Sequence, residues 1–126
     1  MFVCHGNICR SPMAEAIFSD MVKKAGYEDS FIIKSSATSS EEIFGGVGNP
    51  IYPPALAELK KHKIPTTDHR ATKLLKSDYE KYDFFIGMDS ANIRNMNIIF
   101  GGDKEGKIHK LLSFTDLSKE DVSDPW

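Results

Sequence analysis

The stretch CHGNICRS, residues 4–11, lies between a short apolar segment and the first predicted helix. The apolar segment, Met1–Val3, is typical of a buried strand, although it is shorter than most strands. Apolar residues then recur every four positions from Met13 to Ala25, which predicts an amphipathic helix. We expect Ser11 to cap the start of this helix and Gly26 to end it.

Strands and helices continue to alternate along the rest of the chain. The patterns predict a strand over 31–36, a helix from about 54 to 63, a strand over 82–88, a helix over 90–100 and a strand over 107–114. Between the second strand and the second helix, GGVGNPIYPP at residues 45–54 predicts a long loop. This alternation predicts one α/β domain over residues 1–126, with an open, mostly parallel, doubly wound sheet of four strands flanked by helices.

The composition excludes several classes of protein. The 126 residues are 40% hydrophobic and 27% charged, and the formal net charge is -2, so neither nucleic-acid nor membrane-surface binding is indicated. The chain has no apolar run long enough for a membrane span, and Cys4 follows too early for a signal peptide, so we expect a cytoplasmic protein. The two cysteines, Cys4 and Cys9, are too few for a disulfide scaffold or a zinc site.

The 4–11 stretch has the composition of an anion site. Ligands of open α/β sheets bind beyond the carboxyl ends of the strands, and the N-terminus of a helix there carries unpaired N–H groups and a partial positive charge. Gly6 and Asn7 tolerate positive φ, which would let successive amides converge on one point. Arg10 offers a planar fork that matches two oxygens of a phosphate. The sequence therefore predicts a phosphate-binding loop.

Cys4 is the candidate nucleophile of this loop. A helix N-terminus and a nearby cation favour the thiolate over the thiol, and Ser11 could add a hydrogen bond to the sulfur. A thiolate that faces a bound phosphate is placed for phosphoryl transfer. The alternative, a small buried core cysteine, would not explain why Gly6, Asn7 and Arg10 accompany it. The loop lacks the Gly-Lys-Ser/Thr ending of a Walker motif.

At this point the chain resembles the low-molecular-weight protein tyrosine phosphatases. FVCHGNICRSPMAEA at 2–16 is similar to the signature loop and first helix of that family, and DPW at 124–126 is similar to its Asp-Pro-aromatic motif. The similarity also includes SSATSS at 35–40, DHRA at 68–71 and GMDSANIRNM at 87–96. Family members usually begin several residues earlier and continue into a further helix, so the resemblance implies a chain truncated at both ends.

The resemblance implies hydrolysis of phosphotyrosine, an aryl phosphate monoester, in proteins or peptides. Cys4 would form a cysteinyl-phosphate, and Asp124 would act as general acid and then as general base. No metal or other cofactor is implied, and inorganic phosphate or sulfate could occupy the loop. The implied phosphate-binding residues are His5, Gly6, Asn7, Ile8, Cys9 and Arg10.

The resemblance also implies roles for residues around the loop. Those expected to support the loop by hydrogen bonds are Asn7, Ser11, Ser36 and His69. Phe44 or Tyr52, together with Trp126, would form the walls of a slot for the aromatic ring of the substrate. We expect Asp89 to cap a helix, whether or not it also supports the loop. Cys9 could form a disulfide with Cys4 that protects the nucleophile from irreversible oxidation.

Three other functions remain open at this level. A protein-arginine phosphatase is the nearest, but in that subgroup a threonine stands where this loop has Ile8. A non-catalytic phosphate-binding module would result if Asp124 were not held near the loop. Arsenate reductases share the loop architecture but pass oxidation to further cysteines, and Cys4 and Cys9 are the only two here.

Overall fold

The computed structural model describes residues 1–117 and 119–125. Within these residues no helix is both long enough and apolar enough to cross a membrane. Short 3₁₀ segments cover Glu28–Ser30, Lys76–Lys81 and Leu111–Phe114. The strands and helices are, in chain order, β1 (Phe2–Cys4), α1 (Arg10–Lys24), β2 (Ser35–Ala37), β3 (Ile43–Phe44), β4 (Val47–Gly48), α2 (Pro53–Lys61), β5 (Phe85–Gly87), α3 (Ser90–Phe100) and β6 (Ile108–Lys110).

The main sheet has the strand order β2-β1-β5-β6, and all of its pairs are parallel. The chain runs from β1 outward to β2, then returns to the other side of β1 with β5. The order therefore reverses between β1 and β5, and in such sheets the crevice beyond the reversal is the usual ligand site. The predicted four-stranded α/β fold is confirmed.

Apolar side chains cover both faces of the sheet, as the period of two along β1 requires. Phe2 and Cys4 belong to a cluster that includes Phe18 of α1, and the Phe2 and Phe18 rings lie 5.8 Å apart edge to face. Val3 belongs to a second cluster with Phe85 of β5 and Phe100 of α3. Helices α1 and α3 thus cover opposite faces of the sheet.

The second helix packs on the first rather than on the sheet. Ala55 and Leu59 of α2 are buried together with Ile51, and Met13 and Ala16 of α1 pack against them. The helix spans Pro53–Lys61 rather than the predicted 54–63. This packing holds the chain before and after α2 against the first helix.

The strands are shorter than predicted because strand length depends on the partner. The strand predicted over 31–36 is observed at Ser35–Ala37, where it pairs with the three residues of β1. The strand predicted over 82–88 is observed at Phe85–Gly87. The one predicted over 107–114 ends at Lys110 and continues as a 3₁₀ turn.

A hairpin overlaps the start of the segment predicted as a long loop. Strands β3 and β4 pair antiparallel, with Ile43 opposite Gly48 and Phe44 opposite Val47. Gly45 and Gly46 form the connection, with φ of 57° and 80°. Positive φ at both central residues is the geometry of a two-residue hairpin turn that matches strand twist. The Gly-Gly pair was the available signal for this hairpin.

Candidate active site

Residues 4–10, which we call the phosphate loop, connect the end of β1 to the start of α1 at the reversal point of the sheet. A small cavity of about 20 Å³ opens at this loop and is lined by residues 4–10 together with Asp124 and Pro125. We call it the loop pocket. Asp124 and Pro125 thus bring a segment distant in sequence to the pocket.

The sulfur of Cys4 lies in the loop with two polar neighbours. Cys4 is 3% exposed, its Sγ lies 3.0 Å from Ser11 Oγ, and the Asn7 amide N–H donates to Sγ at 3.3 Å. The Asn7 side-chain amide donates to Ser11 Oγ at 2.8 Å, so the Ser11 hydroxyl is left to donate its own hydrogen to the sulfur. The Cys4 sulfur is thus the acceptor of two hydrogen bonds within the loop.

The prediction that Ser11 caps the first helix is wrong. Helix α1 begins at Arg10, and Cys9 is its N-cap residue without a side-chain hydrogen bond. Ser11 lies inside the first turn, and its hydroxyl contacts Cys4 and Asn7 instead of the helix amides. The amide groups of this helix end therefore have no serine side chain competing for them.

Asn7 organises the loop. It has a positive φ of 60° and is completely buried. Its side-chain amide donates to Ser11 Oγ and to Ser35 Oγ, at 2.8 and 2.9 Å, and its side-chain oxygen accepts from the Thr72 amide at 2.9 Å. Its backbone carbonyl accepts from Nε2 of His69 at 2.7 Å. These bonds hold Asn7 in a left-handed conformation that costs free energy for a residue with a Cβ.

Ser35, and not the predicted Ser36, provides the support from β2. The Ser36 hydroxyl is buried and has no hydrogen-bond partner among the residues that the structure describes. Successive side chains of a strand point to opposite faces, so only one of the two serines can reach the loop. Ser35 Oγ in turn donates to Glu15 Oε1 of α1 at 2.6 Å.

The expectation of positive φ at Gly6 is also wrong, since Asn7 is the phosphate-loop residue with positive φ. Gly6 is instead closely approached by a side chain of another segment. A Cβ there would lie 3.1 Å from Cγ of Glu42, which precedes the hairpin. The adjacent His5 imidazole lies 2.9 Å from the Glu41 carboxylate. The segment before the hairpin therefore packs directly against the loop.

Arg10 is buried and oriented by acceptors from distant parts of the chain. One terminal nitrogen donates to Asp89 Oδ2 at 2.7 Å and to the Val122 carbonyl at 3.0 Å. The other lies 3.4 Å from Asp124 Oδ2. Asp89 also caps α3, since its Oδ1 accepts from the Asn92 amide at 2.8 Å. The single carboxyl group of Asp89 thus fixes both a helix start and the guanidinium.

Asp124 is held near the loop pocket by the backbone that precedes it. The Val122 amide donates to the Met88 carbonyl at 2.8 Å, and Asp121 accepts from Ser90 and from the Lys110 ammonium group. The Asp124 side chain is 40% exposed, so it faces both Arg10 and solvent. The structure thus brings Asp124 to Cys4 and Arg10 across most of the chain length.

The comparisons with known proteins agree with this geometry. The family model for low molecular weight phosphotyrosine protein phosphatases matches residues 1–126. The chain belongs to this family. It is 43% identical over 124 residues to a low molecular weight phosphotyrosine protein phosphatase of Schizosaccharomyces pombe, with 98% of this chain and 74% of the relative covered.

Solved structures of low-molecular-weight phosphatases have the same fold. The crystal structure of YfkJ from Bacillus subtilis has a TM-score of 0.89 at 35% identity, covering 98% of this chain and 76% of that chain. A structure of the arginine phosphatase YwlE has a TM-score of 0.84 at 27% identity, covering 99% of this chain and 76% of that chain. Proteins of more than one phosphatase specificity therefore share this architecture.

Two of the residues predicted for the aromatic slot, Phe44 and Tyr52, lie apart from the loop pocket. Phe44 is 67% exposed at the hairpin, and Tyr52 packs against the buried cluster of α2. Neither lines the loop pocket as far as the described residues define it. Trp126 lies outside the described residues.

Cys9, the second cysteine of the phosphate loop, is half-buried, and both cysteines are free thiols. Burial raises the pKa of the Cys9 thiol, and the nearby Cys4 charge raises that pKa further. Cys9 is therefore held in its protonated form around neutral pH. The two thiols of one loop are placed in different surroundings.

Two supporting residues of the phosphate loop were not predicted from the sequence. Glu15 accepts from Ser35, and the Thr72 amide donates to Asn7. Glu15 lies four residues after Ser11, on the same side of α1, which was a usable signal for Glu15. Nothing local marks Thr72, because its amide reaches Asn7 from 65 residues further along the chain.

Proposed function

We propose that the protein hydrolyses phosphotyrosine in peptides or proteins through a phosphocysteine on Cys4. The observation that carries this proposal is the environment of the Cys4 sulfur. It lies in a loop at a helix N-terminus, accepts from the Asn7 amide and contacts the Ser11 hydroxyl, next to the buried guanidinium of Arg10. A thiolate so placed can attack a phosphorus atom held by the same positive groups.

In the first step, Cys4 Sγ uses its electron pair to form a bond to phosphorus while the bond from phosphorus to the phenolic oxygen breaks. Asp124, as the neutral acid, donates its proton to that oxygen, so tyrosine leaves uncharged. The guanidinium of Arg10 and the loop amides hold the three non-bridging oxygens of the phosphoryl group, where charge is concentrated.

In the second step, Asp124 as carboxylate takes a proton from water, and the water oxygen attacks phosphorus. The bond between sulfur and phosphorus breaks, phosphate leaves, and the electron pair returns to the sulfur as thiolate. The Ser11 hydroxyl, 3.0 Å from Sγ, stabilises the thiolate as it forms. The cycle ends with Cys4 and Asp124 in their starting protonation states.

The ion pair between Arg10 and Asp124 must open before Asp124 can act on the substrate. The contact with Asp124 is 3.4 Å, longer than the 2.7 Å contact with Asp89. A phosphate dianion that enters the loop pocket competes with Asp124 for the outer guanidinium nitrogen. Asp89 keeps the guanidinium oriented during this exchange, and the released Asp124 carboxylate takes up a proton from solvent before it acts as the acid.

Relatives support the covalent step and the substrate class. One structure of YwlE is a mutant with a phosphorylated active-site serine in place of cysteine. The relatives from Schizosaccharomyces pombe and human are named phosphotyrosine protein phosphatases. In this chain the loop residue Ile8 is buried and apolar, which suits an aromatic substrate better than a charged phosphoguanidinium group.

The test compares the wild-type protein with Cys4→Ser on three substrates: p-nitrophenyl phosphate, a phosphotyrosine peptide and the matching phosphoarginine peptide. We expect turnover of the first two, and loss of that turnover by about 10⁴-fold or more in the variant because the attacking group is lost. Asp116→Asn, an exposed aspartate, is the control and keeps full activity.

The other outcomes separate the alternatives. Faster hydrolysis of phosphoarginine would overturn the substrate assignment and make the protein an arginine phosphatase. Phosphate binding by the wild-type protein without turnover of any substrate would make it a non-catalytic module. Equal turnover by wild type and Cys4→Ser would exclude Cys4 as nucleophile.

We propose that the exposed ring of Phe44 on the hairpin contacts residues that flank phosphotyrosine in a peptide. Phe44→Ala should raise KM for phosphotyrosine peptides and leave KM for small aryl phosphates unchanged. An unchanged KM for the peptides would remove this assignment.

We also propose that the protein works in the cytoplasm and that Cys9 serves the nucleophile there. A free reactive thiol persists in a reducing compartment, and both thiols are free. A mild oxidant such as peroxide would convert the Cys4 thiolate to a sulfenic acid, which Cys9 could attack to give a disulfide and water. Mass spectrometry should find the Cys4–Cys9 linkage, and recovery of Cys4 sulfonate alone would exclude this role.

A further inference from the structure

A second cavity, which we call the helix–loop cavity, lies between α1 and the chain that follows α2. It has a volume of about 70 Å³ and shares none of its lining residues with the loop pocket. Its polar lining consists of Glu15 and Ser19 of α1 and of Thr66, Thr67 and His69. Its apolar lining includes Pro12, Ala16 and Ile51.

Two polar groups of the helix–loop cavity, those of Glu15 and His69, offer free acceptor positions. The Glu15 carboxylate accepts one hydrogen bond, from Ser35, and a carboxylate can accept about four. Nε2 of His69 bonds to the Asn7 carbonyl and therefore carries its hydrogen there, which leaves Nδ1 of the neutral ring as an acceptor. A ligand with several N–H donors matches this lining.

Glu15 lacks a cationic partner of its own. In residues 1–117 and 119–125, no lysine, arginine or histidine side chain forms an ion pair with it, although it is half-buried. The Met1 ammonium group feels the Glu15 charge but donates its hydrogen bond to the Phe84 carbonyl. A partly buried charge without a partner carries a desolvation cost that a bound cation would offset.

The size of the cavity limits the ligand. A water molecule needs about 10–15 Å³ of such volume, so about 70 Å³ has room for roughly five non-hydrogen atoms. Guanidinium and amidinium groups have this size, are planar, and carry their N–H donors around the edge. Their planar faces can lie against the apolar wall.

The cavity is connected to the phosphate loop through two of its lining residues. Glu15 holds Ser35, which accepts from the Asn7 side chain, and His69 bonds to the Asn7 carbonyl. Two of the hydrogen bonds that support the strained residue Asn7 are therefore connected to the wall of the cavity. A ligand that fixed Glu15 and His69 would stiffen the loop.

We propose that the helix–loop cavity binds small guanidinium or amidinium compounds and that this binding strengthens phosphate binding at the phosphate loop. The cation also neutralises Glu15, whose negative charge otherwise opposes an anion in the loop. Because coupling between two sites is reciprocal, phosphate strengthens cation binding by the same factor. The coupling rests on the proposed function of the loop, whereas binding to the cavity does not.

The test is an amide NMR titration of the full chain with methylguanidinium chloride. A ligand of five non-hydrogen atoms is expected to bind with Kd on the order of millimolar, so the titration extends to about 50 mM. We expect saturable shifts at Ala16, Thr66 and His69. Tetramethylammonium chloride, a cation without N–H donors, is the control for charge and ionic strength and should leave these amides unshifted.

Two variants test the assignment of the site. Glu15→Gln removes the charge but keeps an acceptor for Ser35, and we expect it to weaken methylguanidinium binding about tenfold or more. Asp20→Asn, on the same helix but outside the cavity, is the matched control and should bind as the wild type does. Ala16→Leu fills the cavity and should abolish binding, which provides an independent test if Glu15→Gln does not fold.

The coupling is measured as the Kd of inorganic phosphate with and without saturating methylguanidinium. We expect phosphate to bind at least about twofold more tightly with the cation present, and this gain should vanish in Ala16→Leu. Absence of saturable shifts in the cavity, or equal shifts with tetramethylammonium, would overturn the site. Cation binding without a change in phosphate affinity would overturn the coupling.

Failure of the two proposals can be distinguished. Methylguanidinium shifts in a protein that does not hydrolyse aryl phosphates would support the cavity and contradict the enzyme. Hydrolysis without such shifts would contradict the proposed cation site and support the proposed phosphatase activity. N-acetyl-arginine amide separates the sources of the cation: binding equal to that of methylguanidinium would extend the site to peptide side chains, and lack of binding would restrict it to free compounds.

Discussion

The phosphate loop and the α3 face of the sheet are stabilised by different interactions. Around the loop, five hydrogen-bonded neighbours meet at the single buried residue Asn7. On the α3 face, the rings of Phe85 and Phe100 lie 4.8 Å apart, and Tyr79 lies 5.0 Å from Phe100. The phosphate loop therefore depends on the direction of its hydrogen bonds, and the α3 face depends on the apolar area in contact.

This difference predicts different consequences of substitution. Hydrogen bonds contribute little net stability, but a lost partner leaves a buried polar group unsatisfied and changes the geometry that it fixed. Apolar contacts contribute most of the free energy of folding but tolerate changes in angle. Substitutions near the loop should therefore affect catalysis more than stability, and those on the α3 face should do the reverse.

The largest effect is expected for Asp124→Asn. This substitution tests the loop region and leaves both the hydrogen bonds of Asn7 and the aromatic cluster of the α3 face in place. An amide cannot donate the proton that the leaving group needs, so kcat for a phosphotyrosine peptide should fall by about 10²- to 10⁴-fold. The melting temperature should not change. Steady-state kinetics and thermal denaturation measure the two quantities, and an unchanged kcat would exclude Asp124 as the acid.

The next largest effect is expected for Phe100→Ala on the α3 face. The ring is 7% exposed, and its loss should lower the free energy of unfolding by about 3–5 kcal/mol. Ile98→Ala, at a 71% exposed position of the same helix, is the control and should cost about 0.5 kcal/mol or less. Urea denaturation gives both values. Equal losses in the two variants would contradict the role assigned to the aromatic cluster.

A smaller energetic effect, located at the loop, is expected for Asn7→Ala. Removal of the side chain leaves Ser35 and the Thr72 amide without their partner, so we expect a loss of about 1–3 kcal/mol of stability. Because the loop loses its shape, kcat/KM should fall further, by about 10²-fold. Asn95→Ala, a half-buried asparagine of α3, controls for the loss of an amide. A variant less stable but fully active would show that Asn7 supports the fold alone.

The smallest effect is expected at Asp103, which accepts from the Tyr79 hydroxyl and from the Lys107 and Ile108 amides. Burial acts to raise the pKa of Asp103, but these hydrogen bonds outweigh it and hold the pKa below its ordinary value. Asp103→Asn should cost about 1–2 kcal/mol at neutral pH.

The pH dependence of this cost follows from the lowered pKa. The stability that the Asp103 carboxylate contributes is fully present above its unfolded pKa, about 3.9, and is lost as the pH falls through the lower folded value. The difference in unfolding free energy between wild type and Asp103→Asn should therefore shrink below about pH 4. A difference that stays constant down to pH 2 would contradict the charge effect.

Particular residues show how far the sequence could predict the fold and the site. Helix α3 was predicted at the observed residues, where Asp89 caps its start and Gly101 ends it in a left-handed conformation. Strand β2 was misplaced because its bounds depend on β1, with which it pairs. The serine that supports Asn7 was misassigned for a related reason, since a shift of one residue along a strand reverses the face.

The sequence by itself determined the alternation of strands and helices and the composition of the phosphate loop. Those features depend on periodicity and on conformational preferences of residues close together in the chain. Tertiary structure alone decided that Arg10 contacts Asp89 and Asp124, which lie 79 and 114 residues away, and that Ser35 rather than Ser36 reaches Asn7. Such contacts depend on strand register and packing, which the whole chain settles together, and no local pattern records them.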